Sequence, residues 1–302
     1  MLDRIATFSS SGSMLSAALR TQAKLAEEQI QESSGKVSAD YGGLGAKAGQ
    51  VVSLEVAVSR SSAYADAATG ADSRVNLMSS ALTSIGDVLT QFRAALTEAS
   101  SNVGNQTTLP QVASGLLDDL AAQLNTQYQG RYLFAGSATT VKPVDLSTLA
   151  ASTDFTTADT SYYQGNADAV SVRVSPDQTV SYGVVASDAS FEKAIRVLNA
   201  FANMGSSDIS STTLADAATD VEGSLDGVLA VQGRLSVQSA TLQRAAGDQQ
   251  TFQDYASNLS SSLTDVDVAS VTAQMASYQT QLQASYAAIS KISSLRLMDY
   301  LK

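Results

Sequence analysis

The chain has 302 residues, with 18 Lys+Arg against 29 Asp+Glu and a formal charge of −11. An acidic balance of that size opposes binding to phosphate backbones. It contains no His, Cys or Trp, which excludes Ser-His-Asp triads, Cys nucleophiles, histidine proton shuttles, disulfides and every His- or Cys-ligated zinc site.

All three prolines (Pro110, Pro143 and Pro176) fall in the middle third, so residues 1–109 and 177–302 are free of the main helix breaker. Aromatics make up only 6%, and Ala, Ser, Gln and Thr are abundant, which predicts long slender helices rather than a compact enzyme core. No run approaches eighteen consecutive apolar residues, so no membrane span is expected. No basic stretch followed by an apolar one opens the chain, so a conventional secretory signal is not expected.

In chain order, Leu15, Ala18, Leu19, Leu25, Ala26 and Ile30 form an apolar stripe near the N-terminus. From Val75 through Met78, Leu82, Ile85, Leu89, Phe92, Leu96, Ala99 and Val103 the spacing alternates between three and four. That is a heptad seam, and it predicts a helix packed in a coiled coil or long bundle, stopped by Gly104 and Asn105. After Pro110, the series Val112, Leu116, Leu120, Leu124 and Tyr128 predicts a second helix folding back antiparallel. The middle changes period: Val170, Val172 and Val174, then Val180, Tyr182 and Val184, alternate with polar residues around Ser175-Pro176-Asp177-Gln178. This predicts a β-hairpin. Residues 138–190 carry two basic residues, six Asp and no Glu, so a small acidic β-rich insertion is expected.

The seam returns at Leu214, Ala218, Val221, Leu225, Val228, Gln232, Leu235, Ser239, Leu242 and Ala246, and resumes out of phase at Phe252, Leu259 and Leu263. Gly223, Gly227, Gly233 and Gly247 lie inside it, each costing up to about 1 kcal/mol against Ala, so neighbours must support this helix. A final seam joins Val271, Met275, Tyr278, Leu282, Ser285, Ile289 and Ile292, with Leu295 and Leu301 beyond it. Apolar stripes at both chain ends imply that both ends are buried against something, other copies included.

Motifs for chemistry fail on context. Gly43-x-Gly45-x-x-Ala48 fits a dinucleotide-binding pattern, but a helical stretch precedes it where a strand is required. Ser34-Gly35-Lys36 has Ile30 in place of the first glycine of a phosphate loop and Val37 after the Lys. Asp118-Asp119 are helix neighbours pointing to different faces. Asp265 and Asp267 sit at a junction between seams, where acids cap helices. No catalytic, cofactor-binding or metal-ligating residue is expected, and the chain is not expected to be an enzyme.

Several stretches resemble the flagellin family. The run Gln281–Ser285 followed by Ser294–Leu301 resembles the terminal signature of bacterial flagellins and their hook-associated relatives, and Asp265-Val-Asp267-Val-Ala269 is similar to the family's acidic step before its last helix. Ser34-Gly35-Lys36 is similar to its basic turn after the first helix. The 130–136 run, with Gly130, Arg131, Phe134 and Gly136, and the 163–166 run, with Tyr163, Gly165 and Asn166, resemble the branch that joins hook to filament. Tyr41-Gly-Gly-Leu-Gly45 departs from the acidic, proline-containing loop usual at that place.

The resemblance implies a mainly α fold: a long antiparallel helical rod with coiled-coil terminal helices from both ends and a small β-rich insertion. The expected domains are 1–42 with 262–302 for assembly, 43–137 with 187–261 as the helical rod, and 138–186 as an outward-facing insertion. It implies a structural adaptor between hook and filament, with a filament-forming flagellin as the alternative and a secreted glycan-binding or hydrolytic module on the insertion as a more distant one. Implied partners are copies of the chain, a neighbouring hook-associated protein, flagellin and an export chaperone, with no nucleic acid. The implied location is the extracellular flagellum, reached by type III export. The expected self-assembly residues are Leu15, Leu19, Leu25, Ile30, Leu282, Ile289, Ile292, Leu295 and Leu301.

Overall fold

The computed structural model describes residues 2–300, with side chains described over 12–102 and 104–291. Among the described residues there are six α-helices: α1 (Leu2–Ser34), α2 (Ala48–Ser101), α3 (Leu109–Leu124), α4 (Ala189–Asn203), α5 (Ser211–Thr264) and α6 (Val268–Tyr300). Two antiparallel hairpins lie between α3 and α4: β1 (Gln127–Tyr128) with β2 (Arg131–Tyr132), and β3 (Val170–Arg173) with β4 (Thr179–Tyr182). The fold is mainly α with a small β insertion. The chain forms two compact units, one made of residues up to Ser59 with those from Gln253, the other of Arg60–Phe252.

In the second unit the heptad seam holds: Val75, Met78, Leu82, Ile85, Leu89, Phe92, Leu96 and Ala99 are all buried. The side chain of Val103 lies outside the described ones. The helix stops earlier than expected, at Ser101. Extended Asn102 (φ −145°) then caps a short 3₁₀ segment, its side chain accepting from the Gly104 backbone N–H. Facing α2, the buried positions of α5 run Leu214, Ala217, Val221, Ser224, Val228, Val231, Leu235, Ser239, Leu242 and Ala245. Cross-links between Thr83 and Gln232, and between Ser61 and Gln249, show that the two helices are antiparallel. Phe252, expected in the seam, is exposed, and so is Val112 of α3; Gln253 takes the half-buried place beside Phe252.

Helix α4 was not foreseen, although Asp188 ahead of Phe191, Ala194, Ile195, Leu198 and Phe201 is a capped amphipathic pattern. Asp188 accepts from the Ser190 N–H at 3.1 Å, and those five apolar residues are buried. Gly227 of α5 allows close approach here, since a Cβ on it would lie 2.2 Å from Ser190 Oγ. Three aromatics join layers that are distant in sequence: Phe201 meets Phe92 edge-on at 5.7 Å and Phe155 at 5.9 Å.

The predicted hairpin is present with the expected alternation, pairing Val172 with Val180 and Val170 with Tyr182, and Ser175–Gln178 makes its turn. The rest of residues 138–186 has little regular structure, yet it is anchored firmly. Tyr162 is fully buried and donates to the Ala186 carbonyl; Val144, Phe155, Val174 and Tyr182 share the core of α2 and α4. Helix α4 also holds this segment with polar groups one turn apart. The buried Glu192 carboxylate accepts from the Asp159 N–H at 2.9 Å and from Arg196 Nε at 3.0 Å. Arg196 donates in turn to the Phe155 carbonyl, and Asn199 donates to that of Ala150. Burial of such an ion pair is tolerated because these hydrogen bonds satisfy it.

Phe201→Ala removes the ring that joins Phe92 to Phe155 and is expected to cost about 3–5 kcal/mol, read as a lowered urea midpoint. A loss below about 1 kcal/mol would show that the site collapses around the deletion.

Candidate self-assembly surfaces and the paired motifs

In the first unit, α1 and α6 pack antiparallel. Glu32 accepts from Thr272 Oγ1 at 3.0 Å, and Lys24 Nζ lies 6.0 Å from the Tyr278 ring centroid. The α6 side of the contact is the predicted seam, with Val271 and Leu282 buried and Met275, Tyr278, Ser285 and Ile289 half-buried. The α1 side is Ala18, buried, with Thr21, Leu25, Glu28 and Glu32 half-buried. It is narrower and more polar than the stripe read from the sequence.

That stripe therefore divides. Ala18 and Leu25 face α6, whereas Leu15, Leu19 and Ile30 are 51%, 57% and 58% exposed, and Ala23 and Ala26 are exposed with them. At about 100° per residue, these five form a second apolar stripe roughly 140° around the helix from the α6 contact. Of the expected assembly residues, Leu282, Ile289 and Leu25 are thus placed within the chain's own helix pair, and Leu15, Leu19 and Ile30 are free to face a partner. The side chains of Ile292 and Leu295 lie outside the described ones, and Leu301 lies outside the described residues.

The two helices are tied where they meet the rest of the unit. Gly35 takes a left-handed turn (φ +69°), which brings Val37 N–H to the Thr264 carbonyl at 2.7 Å and the Gly35 carbonyl to Val266 N–H at 3.0 Å. Lys36 Nζ bonds Thr264 Oγ1 at 3.2 Å and pairs with Asp265. Asp267 caps α6, accepting from Ala269 N–H at 3.0 Å. So Ser34-Gly35-Lys36 and Asp265-x-Asp267, 229 residues apart at the ion pair, form one clasp.

The second pair of motifs also meets. Gln129 (φ 51°) and Gly130 (φ 74°) form the two-residue turn between β1 and β2, as a type I′ hairpin requires. Arg131 is exposed on β2. Phe134 is fully buried, edge-on to Phe191 at 6.2 Å. Beyond it, Asn166 binds the first motif on several sides: its N–H donates to the Ala135 carbonyl at 3.2 Å, its Oδ1 accepts from Ser137 N–H at 2.9 Å, and its Nδ2 donates to Ser137 Oγ at 2.7 Å. Tyr163 Oη donates to the Asn166 carbonyl at 2.7 Å, and burial pushes its phenol up to about 12. Gly136 and Gly165 make the approach possible, since a Cβ on Gly136 would lie 2.2 Å from the Asn166 carbonyl oxygen, and one on Gly165 would lie 2.4 Å from Tyr163 Oη.

Among the described residues, no helix is long and apolar enough to cross a membrane, and no group of three or more acidic side chains is placed to hold a metal ion. Residues 5–139 match the family model of the bacterial flagellin N-terminal helical region. Over that stretch, somewhat less than half of its length, the chain is similar to the flagellin family. Among solved structures, the chain is similar in fold to a protein from Vibrio parahaemolyticus provisionally assigned as a flagellar hook-associated protein. That likeness has a TM-score of 0.60 and 14% identity, and covers 75% of this chain and 99% of the other. It is similar as well to flagellar hook-associated protein 3 of Legionella pneumophila (TM-score 0.54, 12% identity, 70% and 98% covered) and to the flagellar junction protein FlgL of that organism (TM-score 0.51, 12% identity, 70% and 98% covered). No curated protein matches the chain.

Gly136 and Gly130 both have positive φ, but only Gly136 is crowded. Gly130→Ala is expected to cost about 1–2 kcal/mol, and Gly136→Ala more than that because the Asn166 backbone must also move; equal losses in urea melts would refute the close approach. The clasp should respond to acid. Hydrogen bonds from Lys36 and Thr264 hold the Asp265 carboxyl below its usual range. Its contribution is therefore fully present above the ordinary carboxylate range and lost as pH falls through the lowered value. Trypsin cutting after Lys36 should accelerate in Asp265→Asn at neutral pH, and an unchanged rate would mean the ion pair holds nothing.

Proposed function

We propose that this protein is a self-assembling structural adaptor of the bacterial flagellum that joins the hook to the filament, and not an enzyme. What carries the reading is the division of α1. One face closes on α6 within the chain, and the other leaves Leu15, Leu19 and Ile30 in solvent on a single stripe. Exposed apolar side chains aligned on one face mark an interaction surface, and the flagellin family supplies the setting. The fold shared with hook-associated proteins supports the junction branch over a filament-forming flagellin.

In this reading residues 1–42 with 262–302 are the assembly domain, bounded by the clasp at Lys36 and Asp265. Residues 43–137 with 187–261 are the helical support, and 138–186 cover it on the outside, anchored by Phe155 and Tyr162. The partners are further copies, a neighbouring hook-associated protein, flagellin and an export chaperone, and the protein reaches the extracellular flagellum through the type III apparatus.

Gold-labelled antibody on intact flagella should mark one short zone where hook meets filament; label along the whole filament would favour the flagellin reading. Two variants test the carrying observation. Leu19→Asp should leave the helicity of the purified chain unchanged and abolish incorporation. Leu282→Asp places a carboxylate in the α1/α6 contact, which costs several kcal/mol, and should lower helicity before assembly is considered. Incorporation of Leu19→Asp at wild-type level would remove the basis of the proposal.

A further inference from the structure

Two long helices that cover each other's apolar seam resist separation well and sliding poorly, because apolar contact is non-directional and has no preferred position along the axis. In the second unit, α4 meets the α2/α5 pair at Phe92 and Gly227. Toward Ser61 the third member of the packing is the β3–β4 hairpin. Its inner face buries Val174, Val180 and Tyr182. Gly183 (φ 94°) lies so close to α2 that a Cβ there would sit 3.2 Å from Met78 Cε.

The hairpin holds both helices at both of its ends. At the turn end, Gln249 Nε2 of α5 donates to the Val174 carbonyl at 3.1 Å, and the same side chain accepts from Ser61 Oγ of α2 at 2.8 Å. One amide thus joins three elements. At the open end, Gly183 N–H donates to Gln238 Oε1 of α5 at 3.0 Å, and Arg74 Nη1 of α2 donates to Tyr182 Oη at 2.8 Å. The two spans match. Helix α5 rises about 16 Å from Gln238 to Gln249, and the strands extend about 17 Å from the level of Gly183 to Val174.

We infer that the β3–β4 hairpin is a shear clamp, which holds α2 and α5 at two levels so that neither moves along its axis past the other. Load along the axis reaches both ends of the hairpin together, and the contacts must break jointly. Load across the pair reaches one end first, and the contacts then give way in turn. The clamp therefore resists sliding far more than it resists separation. All of these residues lie in the second unit, so the inference stands apart from the assembly reading above.

The chain has no Cys, so two introduced thiols give unambiguous handles for single-molecule pulling on the full chain. Ala63→Cys with Ala230→Cys, exposed sites at opposite ends of this section, loads α2 against α5 along their axes; Ala63→Cys with Asp248→Cys, at one level, pulls them apart. Tyr182→Phe with Gln238→Met removes one hydroxyl and one amide acceptor and leaves the Ser61, Asp72 and Thr83 contacts in place. Rupture at constant force follows the unfolding rate. The double variant should speed axial rupture about tenfold, equivalent to ~1.4 kcal/mol, and alter the second geometry by less than about twofold. If helicity shows that the double variant does not fold, Tyr182→Phe alone is pulled in its place, with the same difference between geometries expected. An equal acceleration in both geometries would mean that the hairpin adds ordinary stability only, and no axial acceleration would mean that it carries no load; either result overturns the clamp.

Discussion

Helices of 54 residues with three or four glycines and so many Ser, Thr and Ala residues cannot stand in water on their own propensity, so α2 and α5 exist because each covers the other's apolar seam. That mutual cover governs the rest of the second unit. Phe92 and Met78 face outward from the seam toward α4 and the β hairpin, through Phe201 and Gly183 respectively. The middle segment is laid on a surface that the helix pair has already made. Its strands are short because the core they close is supplied by helices.

An apolar seam alone would permit the two helices to slide by a heptad. Three polar contacts prevent this. Ser61 Oγ bonds both the backbone carbonyl and the side chain of Gln249, Asp72 accepts from Ser239 and Gln243, and Thr83 accepts from Gln232. Sliding would leave the part-buried Ser61 and Ser239 hydroxyls without their partners, a cost of about 1–3 kcal/mol each. None of the three is an ion pair, so salt has little hold on the register.

The long seams were readable because period and length reinforced each other: the spaced residues from Val75 to Ala99 are buried, and those from Val271 to Ile289 are buried or half-buried, as their spacing predicts. The β3–β4 hairpin was readable for the same reason at period two. Phe252 and Val112 were misread because apolar residues in a seam's neighbourhood look alike whether they point in or out, and one residue's shift in phase decides it. The two stripes of α1 were not separated on the sequence, since the neighbours Ala18 and Leu19, about 100° apart around the helix, were read as one stripe. The meeting of 130–136 with 163–166 was legible only as two separate resemblances. What joins them is the absence of a side chain at Gly136 and Gly165, and sequence does not say what a missing Cβ makes room for.

That meeting ties the two ends of a long excursion together. Between Ser137 and Tyr163 the chain leaves the helices and returns to a point fixed by Asn166, while Asn125 grips Val144 from both sides, accepting from its N–H at 3.0 Å and donating to its carbonyl at 2.9 Å. With its exits fixed, the exposed stretch around Ala151 and Thr153 is a place where chain can be gained or lost without moving the supports. Doubling such a loop costs only about 0.6 kcal/mol in closure entropy. That stretch can thus change length and character while the helices beneath keep their register.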